Sequence, residues 1–231
     1  MIAVIGGTSL IDSPLFREWN EEPVRTPYGD VKTRTDGINV FIQRHGNPPV
    51  PPHRINHRAN IRALKDMDVD RVVAVNSVGS LKMEIGPGTF LIPDDLVSLW
   101  DVPTFFENEM RFIVPEMDGH VRSRLGKVCR ELNMEVKIGG VYVQTRGPRL
   151  ETKAEIEFLR KIGDVVGMTM ASEATLSMES EIPYVSLCSI DNYCNGILAT
   201  PLTLEEIKEN ALRNMRTIES LIKRLLAKGL E

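Results

Sequence analysis

Met1-Ile2-Ala3-Val4-Ile5-Gly6-Gly7-Thr8-Ser9 opens the chain with an unbroken apolar run, then two glycines and two hydroxyls. A short apolar run closed by glycine reads as a strand buried on both faces that runs into a tight turn. The same grammar recurs downstream. Arg71–Val75 is a second such strand, followed by the polar stretch Asn76-Ser77-Val78-Gly79-Ser80, read as a turn. Val165–Gly167 precedes Met168-Thr169, and Tyr184–Ile190 runs into Asp191-Asn192-Tyr193-Cys194-Asn195-Gly196. Val31–Thr35 and Ile38–Arg44 flank Asp36-Gly37, a pair suited to a type I′ hairpin turn. Phe90–Ile92, Leu96–Trp100 and Gly140–Thr145 complete the expected strands.

Helices are expected between them. One spans about Asn56 to Met67 with Ile61, Leu64 and Met67 on one side, and another carries Val121, Leu125, Val128 and Leu132. Thr152 with Glu155, and Thr203 with Glu206, have the spacing of capping boxes. Ala171–Ser180 is helical, and Leu204, Ile207, Ala211, Met215, Ile218, Ile222 and Leu225 stripe a final long helix. Strand and helix alternation predicts an α/β fold of three layers, a mixed central β-sheet flanked by helices, in a single domain over residues 1–231.

With 231 residues and 42% hydrophobic content the chain can bury a sizeable core, and 26% charged residues exclude disordered, collagenous and coiled-coil classes. The net charge of −4 argues against nucleic acid as a partner. No apolar run reaches the length of a membrane span, and no charged leader precedes Met1–Ile5, so the expected location is cytoplasmic without a signal peptide. Three cysteines without metal-type spacing fit free thiols in a reducing compartment. His53 and His57 stand four apart but lack a third ligand, so no metal is expected.

The chemistry is sought in the polar segments. Paired glycines let backbone N–H groups approach an anion, to which Thr8 adds a hydroxyl; a plain tight turn is the simpler alternative. Arg44-His45-Gly46 ends a strand with a forked donor and a ring nitrogen, or with a surface arginine beside a packed histidine. Together with Asn76-Ser77 and Met168-Thr169, four turns after four strands are expected to converge on one anion. Glu151, before a helix N-terminus, is either a ligand-reading carboxylate or a helix-start charge. Asp191-Asn192 delivers an acid and an amide suited to the edge of a heterocycle, or to an Asx turn.

Ile5–Thr8, Arg44-His45-Gly46, Ile55–Leu64, Gly147–Thr152 and Val166–Thr169, in this order, resemble the purine nucleoside phosphorylase family, in its trimeric class with 5′-methylthioadenosine phosphorylase. The likeness runs from Ile2 to about Asn192. It implies phosphorolysis of a purine nucleoside to free base and ribose 1-phosphate, with inorganic phosphate as co-substrate and no cofactor. It implies that Thr8, Arg44, His45, Asn76, Ser77 and Thr169 hold phosphate, that Met168 touches the ribose, and that Asn192 faces N7 and the 6-substituent. Leu150, Glu151 and Asp191 complete the expected nucleoside site, with Asn192, Glu151 and His45 in the catalytic roles. It also implies a homotrimer or hexamer in which a neighbour's loop closes the pocket, a part for which the aromatic segment with Phe105, Phe106 and Phe112 is the candidate.

Adenosine-type relatives carry aspartate at the position of Asn192 and a small hydroxyl residue at that of Glu151. An ionised Glu151 accepts from the N1–H of a 6-oxopurine and opposes the N1 lone pair of adenine. The expected substrates are therefore 5′-methylthioinosine, or inosine and guanosine, with methylthioadenosine phosphorolysis or non-catalytic purine binding as alternatives. Three departures from the family stand out. Leu150 replaces phenylalanine, the Asn47–Pro52 loop is one residue short, and Asp191 stands where relatives carry threonine. A one-residue shift would set Asp191 against the base and restore an adenine preference. Ile197, Leu198 and Leu202 are candidate walls for an apolar 5′ group.

Overall fold

The structure is a computed structural model that describes residues 1–100 and 102–230. Its strands are β1 (Ile2–Gly6), β2 (Asn20–Thr26), β3 (Gly29–Thr35), β4 (Val40–Gln43), β5 (Arg71–Ser80), β6 (Phe90–Ile92), β7 (Asp95–Ser98), β8 (Val136–Ile138), β9 (Val141–Gln144), β10 (Val165–Gly167) and β11 (Tyr184–Tyr193). The helices are α1 (His57–Asp66), α2 (Gly119–Glu131), α3 (Lys153–Leu159), α4 (Met170–Glu179) and α5 (Leu204–Lys228).

All the strands join one mixed sheet in the order β2-β3-β4-β1-β5-β10-β9-β7, from which β11, β6 and β8 branch at β5. The three layers follow from alternation along buried strands. Ala3 and Ile5 of β1 and Val72 and Ala74 of β5 face a core shared with α1 and α4. Val4, Val73 and Val75 face the opposite core, with Val121, Leu125, Ile218, Leu221 and Leu225 of α2 and α5. Both faces of these strands are covered, so they are apolar at every position instead of every second one.

Two strands are longer than the sequence reading had them. β5 continues through Asn76-Ser77-Val78-Gly79-Ser80, where a turn is expected, and β11 continues through Asn192 to Tyr193. The reason is mutual pairing. Asn76 lies opposite Cys188, Ser77 opposite Ser189 and Val78 opposite Ile190; the register then slips between Ile190 and Asn192, so that Gly79 faces Asn192. Ser77 and Asn192 on these extensions line a cavity, and Asn76 and Asp191 are hydrogen-bonded behind it, which is why composition made them resemble turns. β2 escapes a pattern search because it is a largely exposed edge strand with Pro23 inside it.

The expected hairpin forms between β3 and β4, but not through a two-residue I′ turn. Thr35 pairs with Val40, leaving four residues in the loop. Gly37 has positive φ and Asp36 does not. The Asp36 carboxylate instead accepts from Ile38 N at 2.8 Å and Asn39 N at 2.6 Å. The Thr152–Glu155 capping box is present in both directions. At α5 only Thr203 participates, accepting from Glu206 N at 3.2 Å.

His53 sits in a 3₁₀ turn and His57 begins α1, so the two histidines do not lie on one helix. Among the described residues no group of three or more His, Cys, Asp or Glu side chains is placed to hold a metal, and no helix is long and apolar enough to cross a membrane. In the aromatic segment, which includes the undescribed Asp101, Phe105 packs on Tyr28 at 5.3 Å and Arg111 lies over Phe106. Only Phe112 of the three is turned to solvent, 86% exposed.

Candidate active site

The ends of β1, β4, β5, β10 and β11 meet at one cavity of about 240 Å³. Thr8, Arg44, His45, Ser77, Leu150, Glu151, Met168, Thr169 and Asn192 all line it. Eleven positions were singled out from sequence for this site; Asn76 and Asp191 are the two that stand behind the cavity wall, 1% and 0% exposed.

Arg44 is anchored on several sides. Its Nε donates to Glu173 Oε1 at 2.5 Å, its Nη2 to Glu173 Oε2 at 3.3 Å, and its Nη1 to Val75 O at 2.8 Å. Burial disfavours the charge, yet Glu173 outweighs it and the guanidinium pKa ends above its ordinary value. The Gly7 position is now explained by a close approach. A Cβ there would lie 1.9 Å from Arg44 Nη1, so any side chain evicts the guanidinium. Glu173 also accepts from Tyr184 Oη at 3.0 Å. His57 Nδ1 stands 4.0 Å from Glu173 Oε1 without a hydrogen-bond partner, and burial pulls its pKa down to about 4.

His45 Nδ1 lies 2.8 Å from Val50 O. A carbonyl only accepts, so Nδ1 carries the hydrogen. Burial lowers the ring's pKa, which favours the neutral form with Nε2 unprotonated. Asn76 Nδ2 donates to Thr169 Oγ1 at 2.9 Å while Asn76 Oδ1 accepts from Ser186 Oγ at 2.7 Å. At the start of α4, backbone N–H groups of Thr169 and Met170 both donate to Tyr142 Oη, and Ser172 N donates to Gln144 Oε1, each at 3.2 Å. These side chains satisfy the first free donors of the helix and fix Thr169.

At the other end, Glu151 Oε1 accepts from Thr145 Oγ1 at 2.6 Å, and Asn195 Nδ2 donates to Glu151 O at 3.3 Å. Asn192 Nδ2 donates to Tyr193 O at 2.9 Å, leaving a second amide hydrogen and the carbonyl oxygen. Gly79 keeps this end open, since a Cβ would meet Cys194 Sγ at 2.6 Å and Asn192 Nδ2 at 3.1 Å. Leu150, 40% exposed, Leu202 and Ile207 supply apolar wall. Leu198 and Leu202 both line a neighbouring cavity of about 300 Å³ that also shares Leu150 and Asn195. Ile197 turns away and packs with Leu81, Val143 and Ile156.

Sequence reasoning missed Glu173, Thr145 and Tyr142. A lone carboxylate inside Met170-Ala171-Ser172-Glu173-Ala174 is a readable signal, because a charge on a buried helix needs a cationic partner. Thr145 carried no such mark.

A family model described as "Phosphorylase superfamily" matches residues 1–227. A "Probable 6-oxopurine nucleoside phosphorylase" of Archaeoglobus fulgidus is 39% identical, covering 97% of each chain. A "Probable S-methyl-5'-thioinosine phosphorylase" of Methanocaldococcus jannaschii is 40% identical, over 96% of this chain and 92% of its own. Among solved structures, methylthioadenosine phosphorylase from Schistosoma mansoni in complex with adenine shares the fold, with a TM-score of 0.83 at 22% identity over 96% of this chain and 88% of that one.

Proposed function

The chain belongs to the phosphorylase superfamily, and we propose that it cleaves purine nucleosides by phosphorolysis, preferring 6-oxopurine bases and releasing base and (methylthio)ribose 1-phosphate. One observation carries this reading. A single cavity has hydroxyls, an arginine and a histidine at one end and a Thr145-bonded carboxylate beside an amide at the other. The names of relatives at 39% and 40% identity agree with it.

In this reading phosphate sits among Thr8, Arg44, His45, Ser77 and Thr169, and an oxygen of it attacks C1′ as the glycosidic bond breaks. Positive charge develops on the sugar and negative charge on the departing base. The anion beneath the ribose stabilises the first, and a donor hydrogen from Asn192 at N7 stabilises the second. Met168 packs on the ribose. Catalysis is positioning and electrostatic preorganisation, without a covalent intermediate.

Base choice rests on Glu151. Its carboxylate accepts from N1–H of hypoxanthine or guanine, whereas adenine presents an acceptor there. Asp191 gives its oxygens to Ser77, Ser189 and Asn214, and Asn192 is the neighbour that lines the cavity. That supports assigning the base contact to Asn192 and not to a shifted Asp191.

The test is base release from inosine, guanosine, adenosine and both 5′-methylthio nucleosides, with and without phosphate. Phosphate-dependent release from the 6-oxo compounds is expected, at least about tenfold faster than from the 6-amino ones. Purine binding without ribose 1-phosphate formation would overturn the enzymatic reading, and adenosine-type turnover would overturn the role of Glu151. Assembly into trimers or paired trimers is part of the proposal. Phe112, Met110 and Val114 offer an exposed apolar strip to a neighbour, and a monomer by light scattering would remove it.

A further inference from the structure

Ser77 and Thr169 face the same cavity with opposite hydrogen-bond polarity. An amide nitrogen can only donate, so Asn76 Nδ2 bonded to Thr169 Oγ1 leaves the threonine hydrogen available for a ligand. Ser77 Oγ instead donates its single hydrogen to Asp191 Oδ2. What Ser77 turns to the cavity is therefore lone pairs.

Asp191 is held in place by several buried donors. It sits at the register slip of β11 and is fully buried. Its Oδ1 accepts from Ser189 Oγ at 2.7 Å and from Asn214 Nδ2 at 2.9 Å. Asn214 Nδ2 also donates to Ser189 Oγ at 2.9 Å, which directs the Ser189 hydrogen toward the carboxylate. Asn210 Nδ2 donates to Asp191 O at 2.9 Å. Burial outweighs the three side-chain donors and leaves the Asp191 pKa above its ordinary value, but Ser77, Ser189 and Asn214 all aim donors at its two oxygens, the arrangement of an accepting carboxylate. α5 thus clamps an acceptor-only group behind a hydroxyl that lines the cavity. His45, with its hydrogen on Nδ1, adds a second unprotonated atom to the same wall.

We propose that Asp191, through Ser77, makes this cavity selective for a tetrahedral oxyanion that carries a proton. Hydrogen phosphate donates its P–OH to Ser77 Oγ, while its bare oxygens take the hydroxyls of Thr8 and Thr169 and the arginine. Sulfate matches phosphate in shape but bears no proton at neutral pH, so it sets lone pairs against lone pairs at Ser77. One such opposed contact corresponds to about a tenfold loss of affinity or more. The inference rests on the phosphate site proposed above, and Asp191 acts in it as a positioning residue.

The experiment compares phosphate, arsenate and sulfate binding to the intact protein by titration calorimetry, which needs no turnover. Arsenate, which also carries a proton, is expected within a fewfold of phosphate, and sulfate at least about tenfold weaker. Equal affinity for sulfate and phosphate overturns the proposal. Asp191→Asn then sharpens it. Ser189 and Asn214 hold the amide oxygen, so the new N–H faces Ser77, frees the serine hydrogen and brings the sulfate-to-phosphate ratio toward one. A folded Asp191→Asn protein with an unchanged ratio also overturns it. If that variant fails to fold, the wild-type comparison decides. Loss of phosphorolysis with anion selectivity intact would instead count against the proposed reaction.

Discussion

The two ends of the cavity are built on different principles. At the Arg44 end, apart from the exposed Thr8, polar groups are held by other buried groups: Arg44 by Glu173 and Val75 O, Thr169 by Asn76, Ser77 by Asp191. At the Glu151 end, Leu150 and Glu151 sit on the segment leading into α3, Asn192 sits near the end of β11, and Leu150 is 40% exposed. The first end is rigid because its buried groups are bonded to one another. The second is adjustable because few partners constrain it. A common anion chemistry with a variable base preference is what such a division permits.

The comparison breaks most sharply at Glu173. Glu173→Gln leaves a buried guanidinium without its counter-charge, and a loss of about 3–5 kcal/mol in unfolding free energy is expected by denaturant titration. A loss below about 1 kcal/mol would mean that the Arg44 end is not the rigid one. Acid probes the same cluster. His57 stays neutral in the folded protein down to about pH 4, whereas the unfolded chain takes up the proton near pH 6.5. The unfolded state then binds more protons across that window, so stability is full above it and falls with acidification, by about 3 kcal/mol in all. Burial sets this; among the charged neighbours Glu173 opposes it, and Arg44 and His45 add to it. His57→Leu is expected to flatten that part of the stability-against-pH curve by one proton's worth of slope.

At the other end the effects are on substrate choice. Glu151→Ala is expected to lower kcat/KM for inosine about a hundredfold, the equivalent of one charge-assisted hydrogen bond, while adenosine changes only a fewfold. Parallel losses for both nucleosides would deny Glu151 its reading role. Thr145→Val removes the hydroxyl that orients Glu151 and is expected to cost about fivefold on inosine with little change in stability. Rates for adenosine serve as the internal control.

Legibility in the sequence follows the same division. β1, α1, α3 and α5 were readable because periodicity and caps are local: Asn56 and Thr152 cap the helices that follow them. The polar cavity-lining residues were readable because polar side chains after apolar runs are conspicuous. The groups behind them were not. Nothing near Thr145 in sequence marks it as the partner of Glu151, and Glu173 is 129 residues from Arg44. The extensions of β5 and β11 were mistaken for turns because a strand that lines a cavity is as polar as a loop.

Residue order alone determined the layered α/β fold and nine of the positions that line one cavity, since each depends on a local pattern or a recognisable short segment. Only the tertiary structure decided which hydrogen each of those groups retains for a ligand. A hydroxyl has one hydrogen, and whether Ser77 gives it to Asp191, 114 residues away, is a matter of distance in space that no local pattern encodes.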